Sequence, residues 1–391
     1  MSIWAISVGR AITPHLEIQD AVVLVEGSRI MAVGKRGEVA VPASAKRVDA
    51  PSMTLVPGFV DVHVHGAGGH DVMEATPEAL SAIATTLARG GTTSFLATTV
   101  TAEPAKLCSS AEGIARYIAS QARQIEIERP CAEILGIHFE GPFISPARRG
   151  VHPAKWIAAP SAALLEKMLK AAGGATRILT LAPEVPGGLN LVAEACKSGV
   201  IVALGHTDAT YEQATEAIAY GARHAAHVFN AMRPFSHRET GVLGAVLTSP
   251  QVTAELIADG VHVDAAAMKL LLAAKTAGGV ILVSDGTAAT GMPDGRYRLG
   301  DFDVDVSGGV VRNAEGKLAG SALTLDRALR NVIALGVPLE ESVRMLTLYP
   351  ARLLSLEGRK GVLAPGADAD VVFFDAQLHI SRVVTRGIGL D

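Results

Sequence analysis

Two histidines separated by one residue lie in a mostly apolar stretch near the start of the chain. Residues 55–69 read LVPGFVDVHVHGAGG, and the Pro-Gly pair precedes an apolar run that predicts a short buried strand. Because side chains alternate along a strand, Asp61, His63 and His65 project from one face. Two imidazoles on one face, beside a glycine-rich loop, predict a metal site at the mouth of a sheet or barrel. A hydrogen-bonded histidine pair at a strand end is the alternative.

A glutamate and two further histidines end other apolar stretches. Glu140 lies in GIHFEGPF, His206 in VIVALGHTDAT and His227 in HAAHVFNAM. A buried carboxylate must be offset by a cation, and one Glu with two His is a common catalytic zinc ligand set that leaves a position open for water. His63 and His65 would then supply a second metal site that shares Glu140 as a bridge.

A carboxylate at the end of another apolar stretch is a candidate acid/base. Asp285 ends VILVSD and opens the motif SDGTAATG. A bound metal lowers the pKa of water from about 15.7 toward 7, so hydroxide is available at neutral pH. Asp285 could take the proton as a general base and pass it to a leaving nitrogen as a general acid. The alternative is an N-cap in the following loop.

Eight apolar stretches that predict strands alternate with helical patterns through the middle of the chain. One helix start is Thr76-Pro77-Glu78, in which a threonine N-cap precedes a proline. This rhythm predicts a (β/α)8 TIM-like barrel, whose active site lies at the carboxyl ends of the strands. A doubly wound sheet competes, but no GxGxxG opens a helix after the first strand. The predicted strands are 59–65, 92–98, 133–140, 177–182, 200–206, 224–229, 253–258 and 280–285.

Short strands at both chain ends predict a second, smaller domain. Residues 1–57 and 359–391 are expected to form a β-sandwich, and residues 58–358 the barrel. Gly27-Ser28, between two apolar runs, predicts a hairpin turn. Residues 293–317 predict a β-hairpin inserted before the last barrel helix, with its aspartate row on a solvated face rather than in a calcium loop.

Composition excludes several classes of protein. The chain has 391 residues, 49% hydrophobic and 19% charged, with a net charge of −4. It can therefore bury a large core, and nothing favours nucleic acid or an anionic membrane as a partner. Three scattered cysteines predict reduced thiols rather than disulfides. No stretch of 18 apolar residues occurs, so we expect a cytoplasmic protein.

The motifs together resemble a known family. PGFVDVHVHG resembles the opening signature of the amidohydrolase superfamily. Further motifs, in order and evenly spaced from about residue 57 to 366, are similar to those of the N-acetylglucosamine-6-phosphate deacetylases: HFEGPF, GHTDAT, HVFNAM, ADGVHVD, SDGTAATG and LAGS. The resemblance implies hydrolysis of the acetamide of N-acetylglucosamine 6-phosphate, in amino-sugar catabolism or cell-wall sugar recycling, by a homodimer.

The resemblance also implies residue roles. Glu140, His206 and His227 would bind the principal metal and Asp285 would be the acid/base. His63 and His65, which some members lack, would bind a second metal. The metal would be Zn²⁺, one or two per subunit, with Fe²⁺, Mn²⁺ or Co²⁺ as alternatives. The implied substrate-binding residues are Val151, His152 near the acetamide, Asn230 and Ala231 at the sugar, Arg238 and His262 at the phosphate, and Leu318, Ala319 and Gly320 along the pocket.

Three other functions compete with this one. The same chemistry could act on N-acetylgalactosamine 6-phosphate or on an unphosphorylated N-acetyl sugar. A non-catalytic barrel kept as a binding or scaffold protein is the third, and it predicts an incomplete ligand set, whereas every expected ligand is present here.

Overall fold

The computed structural model describes residues 2–121, 129–275 and 278–391. Strands and helices alternate through the middle of the chain, and strands dominate its two ends. The strands are β1 Ile3–Ile12, β2 Glu17–Glu26, β3 Arg29–Lys35, β4 Lys46–Pro57, β5 Phe59–Val64, β6 Gly66–Ala67, β7 His70–Asp71, β8 Thr92–Thr99, β9 Glu133–Glu140, β10 Thr176–Leu181, β11 Ile201–Leu204, β12 His224–Ala225, β13 Thr253–Leu256, β14 Val280–Leu282, β15 Gly295–Leu299, β16 Phe302–Ser307, β17 Val310–Asn313, β18 Val371–Phe374 and β19 Ile380–Val384. The α-helices are α1 Pro77–Arg89, α2 Pro104–Gln121, α3 Ala162–Ala171, α4 Gly188–Lys197, α5 Tyr211–Ala219, α6 Gly241–Thr248, α7 Ala265–Ala274, α8 Leu325–Ala334, α9 Leu339–Leu346 and α10 Leu348–Leu353.

Eight parallel strands form the barrel that the sequence predicts. They pair in the order β5, β8, β9, β10, β11, β12, β13 and β14. The barrel closes just beyond β14, through a parallel bridge between Val64 of β5 and Gly286. The Asp285 N–H donates to the His63 carbonyl over 3.0 Å, and the His65 N–H donates to the Gly286 carbonyl over 2.7 Å. The predicted (β/α)8 fold is therefore confirmed.

Six barrel strands end earlier than predicted, and three of them are followed by a predicted site residue with positive φ. Pairing stops at Leu204 in β11, at Ala225 in β12 and at Leu282 in β14. Just beyond these ends, His206, His227 and Asp285 have φ values of 48°, 26° and 50°. A strand requires negative φ, so the chain leaves the ladder before each of these residues. Left-handed backbone at non-glycine residues is uncommon and clusters at functional sites.

Both chain ends contribute to one six-stranded sheet, in the order β19, β18, β4, β1, β2 and β3. β1 and β4 are parallel and the other neighbours are antiparallel. Glu26 pairs with Arg29, so Gly27-Ser28 is the predicted two-residue hairpin turn. The core that contains the barrel also includes Ile6 and Val23 from this sheet. The expected β domain built from both termini is confirmed.

A three-stranded antiparallel sheet, β15–β17, lies between β14 and α8. The sequence predicts a hairpin here, and the structure adds β17 as a third strand. Asp71 fastens this sheet to the barrel, because its carboxylate accepts the Gly300 N–H over 2.8 Å. The aspartates of β16 are about half exposed, as predicted for a solvated face.

Several local expectations are also met. Thr76 caps α1, because its hydroxyl accepts the Ala79 N–H over 3.2 Å. The three cysteines, all within the described ranges, are free. Among the described residues, no helix is long and apolar enough to cross a bilayer.

Candidate active site

A cavity of about 210 Å³ opens at the carboxyl ends of the barrel strands. Most of the residues that the sequence singles out line it: His65, Glu140, Val151, His152, His206, His227, Asn230, Ala231, His262, Asp285, Leu318 and Gly320. His63 lies directly behind them with 0% exposure, and Ala319 is buried between two lining residues. The barrel thus brings together side chains that are far apart in sequence.

The carboxylate of Glu140 is the centre of this site. Its Oε1 lies 2.8 Å from His227 Nε2, 3.2 Å from His206 Nε2 and 3.3 Å from His63 Nε2. Its Oε2 lies 3.1 Å from His152 Nε2 and 3.4 Å from His65 Nε2. Burial raises the pKa of Glu140, but the surrounding imidazoles outweigh burial and hold it well below its usual range.

Three of these imidazoles carry their ring proton on Nδ1. His206 Nδ1 lies 3.0 Å from the Arg148 carbonyl, and His65 Nδ1 lies 3.2 Å from the Thr98 carbonyl. His63 Nδ1 lies 2.8 Å from a carboxylate oxygen of Glu255. Carbonyl and carboxylate oxygens only accept, so each ring must donate from Nδ1, and in its neutral form it leaves a lone pair on Nε2.

His152 has the opposite tautomer. The Thr101 backbone N–H donates to its Nδ1 over 3.1 Å, so in the neutral ring the proton is on Nε2. That N–H points at Glu140 over 3.1 Å. Although His152 lies among the candidate ligands, this tautomer makes it a hydrogen-bond donor into the cavity rather than a metal ligand.

The donor set fits a divalent metal. Nε2 lone pairs facing a carboxylate repel it unless a proton or a metal cation lies between them, and His63 Nε2 is fully buried without a hydrogen-bond partner among the described residues. Zinc–nitrogen distances of 2.0–2.1 Å in a tetrahedron place neighbouring ligand atoms about 3.3 Å apart. His206 Nε2 and His227 Nε2 are separated by 3.2 Å, close to that spacing. His63, Glu140 and His227 form one candidate cluster, and His63, His65 and Asp285 form another.

Burial keeps His206 neutral, and neighbouring groups keep Asp285 ionised. Burial, helped by His152, lowers the pKa of His206 to about 4, so the ring is neutral at pH 7. Asp285 Oδ1 lies 3.1 Å from His65 Nε2. Burial raises the pKa of Asp285, but the contact with His65 and the other nearby imidazoles outweigh burial and lower it overall. Asp285 is therefore ionised and able to accept a proton.

Glu255 escaped the sequence analysis, and Asp259, the second residue of the ADGVHVD motif, received no role there, although both orient predicted site residues. Glu255, between an alanine and a leucine in β13, contacts His63. Asp259 Oδ2 lies 2.7 Å from His262 Nδ1, and its Oδ1 accepts the backbone N–H groups of Val261 and His262, each over 2.8 Å. The Asp three residues before His262 was a usable signal, whereas nothing in the sequence pairs Glu255 with His63.

Arg238 does not reach the cavity. It lies beside a separate hollow that Arg233, Tyr211 and Glu239 also line. Its own backbone N–H is bonded to Ser236 in the loop before α6. Within a single chain, the predicted contact between Arg238 and a phosphate in the cavity is therefore not formed, because this loop places the guanidinium elsewhere.

The barrel presents His, Glu and Asp side chains to one cavity at the carboxyl ends of its parallel strands. This arrangement is typical of metal-dependent hydrolases. The chain belongs to the amidohydrolase family, whose model matches residues 54–387. It is 38% identical over 361 residues to N-acetylglucosamine-6-phosphate deacetylase of Lysinibacillus sphaericus, covering 91% of each chain. It is also 38% identical over 348 residues to N-acetylgalactosamine-6-phosphate deacetylase of Escherichia coli O157:H7, covering 89% of this chain and 90% of that one.

Solved structures agree with this assignment. A variant of N-acetyl-D-glucosamine-6-phosphate deacetylase from Mycobacterium smegmatis, in complex with N-acetyl-D-glucosamine-6-phosphate, is 37% identical. It superposes with a TM-score of 0.90 over 99% of both chains. N-acetylglucosamine-6-phosphate deacetylase from Pasteurella multocida is 29% identical and also superposes with a TM-score of 0.90.

Proposed function

We propose that the protein is a metal-dependent deacetylase that hydrolyses N-acetylglucosamine 6-phosphate to glucosamine 6-phosphate and acetate, in amino-sugar catabolism or cell-wall sugar recycling. The observation that carries this proposal is an ionised Asp285 beside imidazole lone pairs that converge on Glu140. The names of the relatives supply the substrate class.

Glu140, His206 and His227 would hold the principal metal, and His63 and His65 would hold a second one that shares Glu140. Zinc is the expected ion, one or two per subunit, with Fe²⁺, Mn²⁺ or Co²⁺ as alternatives, because imidazole and carboxylate ligands suit all four. A metal bound there would supply a Lewis acid and would make hydroxide available near pH 7.

The chain's own residues would handle the protons and the carbonyl. Asp285 would accept a proton from the attacking water and then deliver it to the leaving nitrogen. The Nε2–H of His152 would donate to the acetamide oxygen, where negative charge develops during attack. These roles follow from the ionised state of Asp285 and from the Thr101 contact that leaves the proton on His152 Nε2.

The remaining cavity residues would bind the phosphosugar. Asn230 and Ala231 would contact the sugar, and Val151 with Leu318–Gly320 would line the pocket. His262 would contact the phosphate. Arg238 could join it only from a second copy of the chain, which suits the homodimer expected from the resemblance. We also propose a cytoplasmic location.

N-acetylgalactosamine 6-phosphate is a second candidate substrate. The N-acetylgalactosamine-6-phosphate deacetylase of Escherichia coli O157:H7 is 38% identical to this chain, as is the N-acetylglucosamine-6-phosphate deacetylase of Lysinibacillus sphaericus. The two sugars differ only in the configuration of one hydroxyl, so the acetamide and phosphate contacts serve both. An unphosphorylated N-acetyl sugar would leave His262 without its anionic partner.

Acetate release measured beside metal content tests the proposal. Wild-type protein is assayed with N-acetylglucosamine 6-phosphate, N-acetylgalactosamine 6-phosphate and N-acetylglucosamine. Asp285→Asn should retain metal and lose about 10²–10⁴-fold in kcat, whereas Asp305→Asn, on the exposed face of β16, should match wild type. Metal-loaded wild type that releases acetate from none of the three sugars would refute the proposed function. Faster turnover of the galactosamine sugar would make it the substrate.

A further inference from the structure

Glu255 is a fully buried carboxylate that does not line the cavity. It lies within β13 and accepts hydrogen bonds from three directions. Oε2 lies 2.8 Å from His63 Nδ1 and accepts the His227 backbone N–H over 2.9 Å. Oε1 lies 2.9 Å from His224 Nε2. No substrate in the cavity could touch Glu255, so any effect on the reaction must pass through these partners.

Two of the three contacts of Glu255 constrain candidate metal ligands. The hydrogen bond to His63 directs its proton to Nδ1 and its lone pair toward Glu140. The hydrogen bond to the His227 N–H holds the chain where it leaves β12 in a left-handed conformation. The Nδ1 atoms of His65 and His206 face neutral backbone carbonyls instead. Of these three histidines, His63 alone has a charged partner at Nδ1.

We propose that Glu255 is a positioning residue that keeps His63 in the metal-ligating tautomer and strengthens metal binding at the His63 position. The inference rests on the proposed function, because it assumes that these histidines hold a metal. A carboxylate behind a histidine raises the basicity of the ligand, and loss of such a partner typically weakens metal binding about 10–100-fold. A merely structural Glu255 would alter folding and leave metal affinity unchanged.

Substitution by glutamine separates charge from geometry. The His227 N–H is an obligate donor, so the glutamine oxygen must stay on that side and can still accept from His63. The amide NH₂ would then face His224 Nε2. His224 can accept it by moving its proton to Nδ1, which lies 2.6 Å from the Thr253 hydroxyl. Glu255→Gln therefore keeps every contact and removes the charge, whereas Glu255→Ala removes both.

Zinc competition against a chromophoric chelator measures the consequence on the full-length protein. We expect Glu255→Gln to lose affinity near the lower end of the 10–100-fold range and Glu255→Ala near the upper end. Glu133→Gln is the matched control, because it makes the same change at another largely buried carboxylate. Glu133 begins β9, at the opposite end of that strand from Glu140, and its partners are Arg359 and Lys360. This control should bind zinc within about twofold of wild type. Folded Glu255→Gln and Glu255→Ala variants that also stay within twofold would overturn the proposal.

A measurement that needs no Glu255 variant keeps the proposal testable if the two Glu255 variants do not fold. In zinc-loaded protein with ¹⁵N-labelled histidine, we expect a hydrogen-bonded Nδ1–H resonance that disappears in His63→Ala. A His63 ring proton on Nε2 would overturn the inference. Failure of the proposed function looks different: wild type would release no acetate from any sugar, while the ranking of zinc affinities and the His63 resonance would be unaffected.

Discussion

Replacing Asp259 with asparagine is expected to weaken phosphate recognition and leave the chemical step unchanged. Two backbone N–H groups bond to Asp259 Oδ1, and both are obligate donors. The asparagine oxygen must therefore stay with them, and its NH₂ would face His262 Nδ1 in place of Oδ2. His262 can accept from that NH₂ only as a neutral ring with its proton on Nε2. The variant thus removes the carboxylate charge behind His262 while keeping a donor toward the cavity.

The size of the effect follows from the loss of one charge. The phosphate is an anion in both proteins, so the substitution changes only the donor, which loses the carboxylate behind it. That loss amounts to one ordinary hydrogen bond, about 0.5–1.5 kcal/mol, and corresponds to a rise of about 2–12-fold in KM for the phosphosugar. The kcat should stay near wild type, because Asp259 and His262 make no hydrogen bond to Glu140 or Asp285 among the described residues.

Acetate release measures both constants for the phosphosugar and kcat/KM for N-acetylglucosamine. Asp264→Asn is the control, because Asp264 caps α7 without touching His262 and asparagine is an equally good cap. In a His262→Gln background, Asp259→Asn should add no more than about twofold. The reasoning is refuted if Asp259→Asn changes kcat/KM equally for both sugars, or leaves the phosphosugar KM unchanged while His262→Gln raises it.

Three further predictions concern stability. Lys360 is buried and lies 2.7 Å from Glu133, 2.9 Å from Asp368 and 2.6 Å from Asp370. Lys360→Met leaves these carboxylates without this cation and should lower the free energy of unfolding by about 3–5 kcal/mol in urea titrations. A loss below about 1 kcal/mol would contradict this prediction. Burial raises the pKa of Glu133, but Lys360 and Arg359 outweigh burial and lower it from 4.5 to about 2. Ionised Glu133 therefore contributes about 3 kcal/mol to the free energy of unfolding, complete above pH 4.5 and lost as the pH falls to 2. Glu133→Gln should flatten the stability curve over that interval, and an unchanged curve would argue against the pairing. Chelation should lower the Tm. Zinc at 100 times its Kd should add about 2.7 kcal/mol to the free energy of unfolding and so restore the Tm; a Tm that changes with neither treatment would exclude a native-state metal.

The types of chemical group at the site were predictable because they are encoded locally. Alternation along β5 predicts that His63 and His65 share a face, and the end of β9 predicts Glu140 at the cavity. The lengths of β11, β12 and β14 were not predictable from apolar runs. The chain departs from the ladder at residues with positive φ, and nothing local in a strand pattern signals that departure.

The sequence by itself determined the barrel rhythm, the β domain formed by both ends, and which residue types reach one end of the barrel. Only the tertiary structure decided which ring nitrogen each histidine presents, because the partners that fix it come from distant segments. Glu255, from a distant strand of the barrel, fixes the proton of His63 on Nδ1, and the Thr101 N–H makes His152 a donor from Nε2. The loop before α6 places Arg238 beside a separate hollow rather than at the cavity. A proton's position on an imidazole depends on its hydrogen-bond partner, and that partner exists only once the chain has folded.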